Sequence, residues 1–312
     1  MKKNNNKYDL AVGGQALIEG IMMRTPHFIS MAFRRPNGQI HITDRKFVSL
    51  TKRVKVLGFP VIRGIVGFVE MLVIGIKALN YSAEVYIEEE DQIYEEKDKA
   101  KKQFSIWHLI FTLVFSIAFA LFIFKFVPLW LTYRLESEFL VIQENYALFN
   151  LIDGFIKILF FVAYIAIISL FPDIHRVFQY HGAEHKSIYT YEENDPLIPE
   201  NAQKHTRFHP RCGTSFILVV FVISILLYTF VPRHPLFFVT LLYRIALLPV
   251  IAGISYEFLK WSGKHKNNKY ILLLAAPGLW LQRLTTKEPD DEQLEVGLAA
   301  LKRGLELEAK GE

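Results

Sequence analysis

The sequence predicts an all-α polytopic membrane protein with about four transmembrane helices, one re-entrant or interfacial helix, and a small N-terminal β-hairpin element. Three observations predict it. Four segments, 106–127, 148–171, 215–231 and 236–261, are apolar over about the 20 residues a helix needs to cross a bilayer. The composition is 52% hydrophobic yet 21% charged, as expected for apolar spans joined by charged segments. Lys and Arg are unevenly distributed along the chain, and that bias sets an orientation.

Residues 1–55 read as a cytosolic N-terminal segment. The run Gly13-Gly14-Gln15-Ala16-Leu17-Ile18-Glu19-Gly20 is glycine-punctuated but lacks the spacing and lysine of a P-loop. Its first reading is backbone packed closely on another element. With Glu19 and Arg24 as polar residues in an apolar stretch, block 13–24 is expected to fold over the site described below. Residues 29–47 read as a hairpin: Ile29, Met31 and Phe33 alternate, Pro36-Asn37-Gly38 turns, and Ile40 and Ile42 resume.

Residues 56–80 are apolar but carry Arg63, Glu70 and Lys77 at steps of seven, near one helical face. This is the re-entrant or interfacial helix. Residues 81–105 form a charged cytosolic linker or short exposed helix, a solvated run with no chemistry assigned. Residues 106–261 are the four-span membrane domain, interrupted by a cytosolic loop at 172–214. Its third and fourth spans are separated only by Pro232-Arg233-His234-Pro235, a hairpin tip with two helix-breaking prolines.

Residues 1–57 hold eleven Lys and Arg, loop 172–214 five and the tail from Lys264 eight, against one each in 128–147 and 232–235. If 56–80 does not span, both termini and every basic segment lie in the cytoplasm. The start MKKNNNKYDL has no apolar core for a cleavable signal. In the cytosolic segment 262–312, residues 270–284 are too short to span comfortably and contain Pro277. Pro289-Asp290-Asp291-Glu292 then opens a helix whose Leu294, Leu298, Leu301 and Leu305 share one face. That amphipathic helix is expected to dock or dimerise.

A single cysteine excludes a disulfide scaffold and a Cys-rich zinc finger. The net charge of +5 is too small to predict a nucleic-acid partner. The sharpest chemical feature is His181-Gly182-Ala183-Glu184-His185, an H-x-x-E-H pattern. On a helix the two histidines lie one turn apart on one face, within reach of one divalent metal ion, most simply zinc. Zinc polarises water and Glu184 is placed to take its proton.

A catalytic zinc needs three protein ligands and an open position. Candidates for the third are His209 and Cys212, in the run H-T-R-F-H-P-R-C that starts at His205, and Glu257 near the inner end of the fourth span. Two blander readings remain open. His181, His185, His209 and Cys212 would fill a closed structural tetrahedron, and a histidine pair at a membrane surface can simply be interfacial. A nucleophilic role for Cys212 is weaker, since a buried inert thiol is commoner. Arg63, Glu70, Lys77, Lys125, Asp153, Lys157 and Arg244 lie in or beside apolar segments and would suit a transport pathway.

The chain resembles the YqhQ-like family of bacterial membrane proteins, a family of unknown function commonly labelled metal-dependent enzymes. The resemblance rests on GGQALIEGIMMR (13–24), YHGAEHKSI (180–188), QKHTRFHPRCGTSF (203–216), GISYEFLK (253–260) and APGLWLQRLTTKEPDD (276–291). It covers nearly the whole chain. It implies a multi-pass protein of the bacterial cytoplasmic (inner) membrane, and it points to His181, Glu184, His185, His209 and Cys212. The expected function is a zinc-type hydrolase at the cytoplasmic membrane face. Its partners would be the lipid bilayer and a membrane-protein or peptide substrate. The alternatives are a non-enzymatic membrane assembly or scaffold protein with a structural metal, and a transporter.

Overall fold

Residues 12–93, 106–210, 212–231, 234, 236–264 and 269–311 are described by the computed structural model. Four strands come first: β1 (Gly13–Leu17), β2 (Gly20–Arg24), β3 (Phe28–Arg34) and β4 (Ile40–Lys46). They form one antiparallel sheet in chain order. The helices are α1 (Leu50–Arg53), α2 (Ile62–Ile93), α3 (Ile106–Leu121), α4 (Val127–Glu138), α5 (Leu140–Glu144), α6 (Tyr146–Ile168) and α7 (Pro172–Glu192). They continue as α8 (Pro199–Ala202), α9 (Gly213–Thr229), α10 (Phe237–Ala246), α11 (Leu248–Lys264), α12 (Lys269–Thr285) and α13 (Asp291–Lys310).

The hairpin expected at 29–47 is β3–β4, with Phe33 opposite His41 and Gly38 at φ 85° in the turn. A left-handed φ costs glycine little, which is why the turn falls there. β3 continues a larger meander, because β2 pairs with it from Gly20↔Phe33 to Arg24↔Ile29, and β1 pairs with β2. Successive side chains leave a strand on opposite faces. On one face Leu17, Met22, Ile29, Met31 and Phe33 bury against Ile74 and Ala78 of α2. On the other, Ile21, Met23 and Ala32 bury against Tyr180 and Ala183 of α7 and Leu294, Leu298 and Leu301 of α13. The sheet is thus covered on both sides.

Helix α13 starts where Pro289–Glu292 predicted. Asp290 caps it in a capping box with Gln293, and Gly311 ends it in the left-handed region. The amphipathic face docks within the chain: Leu294, Leu298 and Leu301 fill the core, while Ser30 Oγ donates to the Ala300 carbonyl at 2.7 Å.

By length and composition, two of the described helical stretches could cross a membrane: Val114–Glu138, through one π-helical turn at Phe122–Phe126, and Tyr146–Ile168. The pair α10 and α11, bent by 40°, makes a third if it counts as one span. The expectation of four full spans is therefore reduced. The third expected span is α9, whose apolar part Phe216–Thr229 is shorter than a full crossing; its 17 residues extend about 26 Å. The fourth is broken at Leu247, between Ala246 and Leu248. Of the 232–235 tip, Pro232, Arg233 and Pro235 lie outside the described residues.

Helix α2 does not stop at residue 80. It runs on to Ile93, so the first half of the expected linker is helix, and residues 94–105 lie outside the described residues. α2 packs along α11. A Cβ on Gly64 would lie 2.6 Å from the Gly253 carbonyl oxygen, so the two backbones touch where both residues lack a side chain.

The apolar helices enclose a polar knot. Asp153 accepts from Lys157 on its own helix and from Arg244 of α10. Arg244 also donates to Asn150 at 2.5 Å and lies 4.7 Å from the centre of the Tyr228 ring, and Lys125 of the π-helical turn lies 5.7 Å from the same centre. Asp153, Lys157 and Arg244 are each no more than 2% exposed. Buried charges of this kind hold only when paired.

Candidate metal centre

Helix α7 carries His181, Glu184 and His185 because it continues without a break through the H-G-A-E-H run. Gly182 permits this, as a Cβ there would collide with the Lys287 carbonyl oxygen. His181 Nδ1 lies 2.8 Å from the Thr285 carbonyl at the end of α12, and His185 Nδ1 lies 2.5 Å from the Arg207 carbonyl. A carbonyl can only accept, so both Nδ1 atoms carry the proton and both Nε2 atoms keep a lone pair.

Those lone pairs converge. His181 Nε2 is 3.2 Å from the Cys212 sulfur, and His181, His185 and Cys212 each offer a ligand atom within 4.8 Å of the others. His185 Nε2 is sealed from solvent without a hydrogen bond of ordinary geometry. Burial pushes the His185 imidazole below its usual pKa, against the opposing pull of Cys212, and so favours the neutral ring that a metal needs. Two imidazoles and one thiol, each imidazole fixed through its far nitrogen by a backbone carbonyl, form a donor set suited to zinc.

Glu184 is 6% exposed and faces β1. A Cβ on Gly14 would fall 2.9 Å from Glu184 Cδ, and the Gly14 N–H donates to the carboxylate. Burial raises the Glu184 pKa, while His181 and His209 pull it back down. Block 13–24 thus lies against α7. Its Glu19, in the β1–β2 turn at φ 49°, binds Arg176 through both oxygens, one of them to Arg176 Nη2 at 2.6 Å, and accepts from Tyr180 Oη at 3.1 Å. Arg24 points to the other side of the sheet, 4.6 Å from the Phe47 ring centre.

The remaining candidates separate. His209 is near but outside the triad: its ring centre is 5.6 Å from that of His185, and its Nε2 is 3.7 Å from Glu192 Oε1. Gln282 holds its backbone at both ends, accepting from His209 N–H at 2.7 Å and donating to the His209 carbonyl at 2.8 Å. His205 pairs with Asp195 at 3.0 Å. Glu257 is not brought to the histidines. Arg63 of α2 grips it with two hydrogen bonds, 2.6 and 2.5 Å, because the Gly64–Gly253 contact presses those helices together. That bidentate pair uses the carboxylate that a metal would need.

Sequence reasoning missed the Thr285 and Arg207 carbonyls and the Gln282 clamp. The polar run Gln282–Thr286 at the end of an apolar helix was the available signal.

The comparisons with known proteins agree with this picture of a family without an assigned activity. A family described as "Protein of unknown function (DUF1385)" matches residues 59–307. "Uncharacterized protein YqhQ" of Bacillus subtilis (strain 168) is 38% identical over 312 residues, covering 99% of this chain and 96% of that protein. No solved structure matches.

Proposed function

The chain belongs to the DUF1385 family of proteins of unknown function, and on that premise we propose that it is a metal-dependent hydrolase of a bacterial inner membrane. The observation that carries this reading is the convergence of the unprotonated Nε2 atoms of His181 and His185 on the Cys212 sulfur, each ring tethered through Nδ1. His181, His185 and Cys212 would hold a divalent ion of the zinc type. Three ligands leave one position open, as a catalytic site requires. When bound, such an ion supplies Lewis acidity toward water and toward a carbonyl or phosphoryl oxygen.

The chain's own residues supply the rest. Glu184 accepts and returns a proton at its carboxylate, whose proton affinity burial raises. The Gly14 N–H orients that carboxylate. His209 stays in reserve beside His185. In this reading the membrane is crossed four times, by Val114–Glu138, α6, α9 and the bent α10–α11 pair, with both termini and the metal centre on the cytoplasmic face.

A second reading has one observation in its favour. His185 and Cys212 are only 1% and 5% exposed, which also suits a structural metal tying α7 to the loop before α9 in a scaffold protein. Metal analysis of the purified protein tests both readings: about one zinc per chain is expected, lost in His181→Ala and His185→Ala. Glu184→Gln is expected to keep the metal and fail to complement a deletion strain. Wild-type protein without metal overturns both readings; a fully complementing Glu184→Gln overturns the hydrolase.

A further inference from the structure

We propose that the groove between the 203–212 loop and α12 holds one anionic phospholipid, with its acyl chain on the apolar floor and its phosphate at Arg283. On the hydrolase reading, this names the substrate class of the metal centre as a bilayer amphiphile.

The groove has a volume of about 630 Å³ and is lined by Phe208, Ala276, Pro277, Leu279, Trp280 and Arg283. Five of the six are apolar and the sixth is a cation. Pro277, inside α12, adds its apolar ring to the floor. Arg283 is exposed and has no carboxylate partner among the described residues. An apolar trough with an unneutralised guanidinium at one end complements a molecule with a hydrocarbon chain and an anionic head.

Two further facts favour such a molecule there. Helix α12, which forms most of the groove, packs against the apolar helices α9 and α6. Trp280, 54% exposed on the groove, is the residue type that settles at the membrane–water boundary. The groove is lined by sequence neighbours of the residues that position the metal centre. Phe208 lies between Arg207, whose carbonyl fixes His185, and His209. Trp280 and Arg283 flank Leu281 and Gln282, and Gln282 clamps His209. A lipid seated in this groove would lie against the segments that hold the ligands.

Native mass spectrometry of the full-length protein in detergent tests this with two probes, dioleoyl phosphatidylglycerol and dioleoyl phosphatidylcholine. The wild type is expected to retain the anionic lipid about fivefold better, the contribution of one arginine at a membrane surface. Arg283→Gln should abolish that preference and Arg283→Lys should keep most of it. Trp280→Ala should weaken retention of both lipids. Equal retention of the two lipids, or an unchanged Arg283→Gln, overturns the proposal. So does displacement by glycerol phosphate as effective as by a short-chain phosphatidylglycerol, because the apolar floor would then contribute nothing. A dimer that dissociates in Trp280→Ala would place a second copy on this face and would equally overturn the lipid. Zinc content is measured on the same samples. Lipid binding without zinc overturns the metal centre alone, and zinc without lipid preference overturns the groove alone.

Discussion

The rings of His181 and His185 lie with centres 4.4 Å apart, and each donates its Nδ1 proton to a carbonyl from a different part of the chain. Thr285 ends α12 and Arg207 lies in the loop before α9, so three segments must be in register before both lone pairs face Cys212. On the metal-centre proposal, binding of the ion and folding would be coupled. Added zinc is expected to raise the melting temperature of the wild type, by about 2.7 kcal/mol of stability at a hundredfold excess over Kd. His185→Ala and Cys212→Ser should lose that response, read by thermal unfolding with and without chelator. An equal response in all three proteins would argue against this site.

Gly14 is held to glycine by two neighbours. A methyl group there would meet the Met22 carbonyl oxygen at 2.8 Å and Glu184 Cδ at 2.9 Å. Gly14→Ala is expected to cost about 1–3 kcal/mol, the usual range for overpacking. Part of that penalty should disappear in the double variant with Glu184→Ala, which removes one of the two clashes. Additive losses would show that Glu184 is not what β1 touches.

Asp153 is the carboxylate between Lys157 and Arg244. Asp153→Asn leaves two buried cations without their counter-charge, and such a break costs about 3–5 kcal/mol. Unfolding of the detergent-solubilised protein should show that loss. The outer pair Arg303–Asp44, at 2.7 Å and partly exposed, should give less than about 1 kcal/mol on Asp44→Asn.

Glu308 gives the acid limb of stability. Partial burial raises its pKa, but hydrogen bonds from the His27 ring, the His27 N–H and Thr25 outweigh this and hold it below the usual carboxylate value. A carboxyl depressed in the folded state stabilises above its unfolded pKa of about 4.3, and that contribution is lost as pH falls through the folded value. Amide exchange in α13, taken relative to the intrinsic rate at each pH, is expected to speed up below about pH 4 in the wild type. In Glu308→Gln it should already be faster at neutral pH and lack that acid step.

How much of this was legible in the sequence depends on what carried the signal. Hairpin β3–β4 was legible because Ile29, Met31 and Phe33 alternate and Gly38 marks the turn. Strand β2 was not, since Ile21, Met22 and Met23 are all 0% exposed and alternate between two covered faces, leaving only the terminal Arg24 as a polar residue, too little to reveal the period. The joining of His181, His185 and Cys212 followed from helical spacing plus a topology that returns the chain to one side. The separation of Glu257 from them was not legible, because it depends on the close contact between α2 and α11 across almost 200 residues of chain. The carbonyls that fix the histidines were invisible for a simpler reason: a backbone oxygen is the same in every residue.

The apolar face of the sheet formed by Ile21, Met23 and Ala32 is covered by α7 and closed by α13, far later in the chain. During synthesis α7 can cover part of that face first, and the part under α13 stays open until residues 291–310 have been made. Block 13–24 can settle on α7 beforehand, but Ser30 has no Ala300 to bind until then. A chain cut short before residue 291 would carry His181, His185, Cys212 and its apolar helices yet expose a strip of sheet, a mark by which quality-control proteases could distinguish it from a chain that has α13.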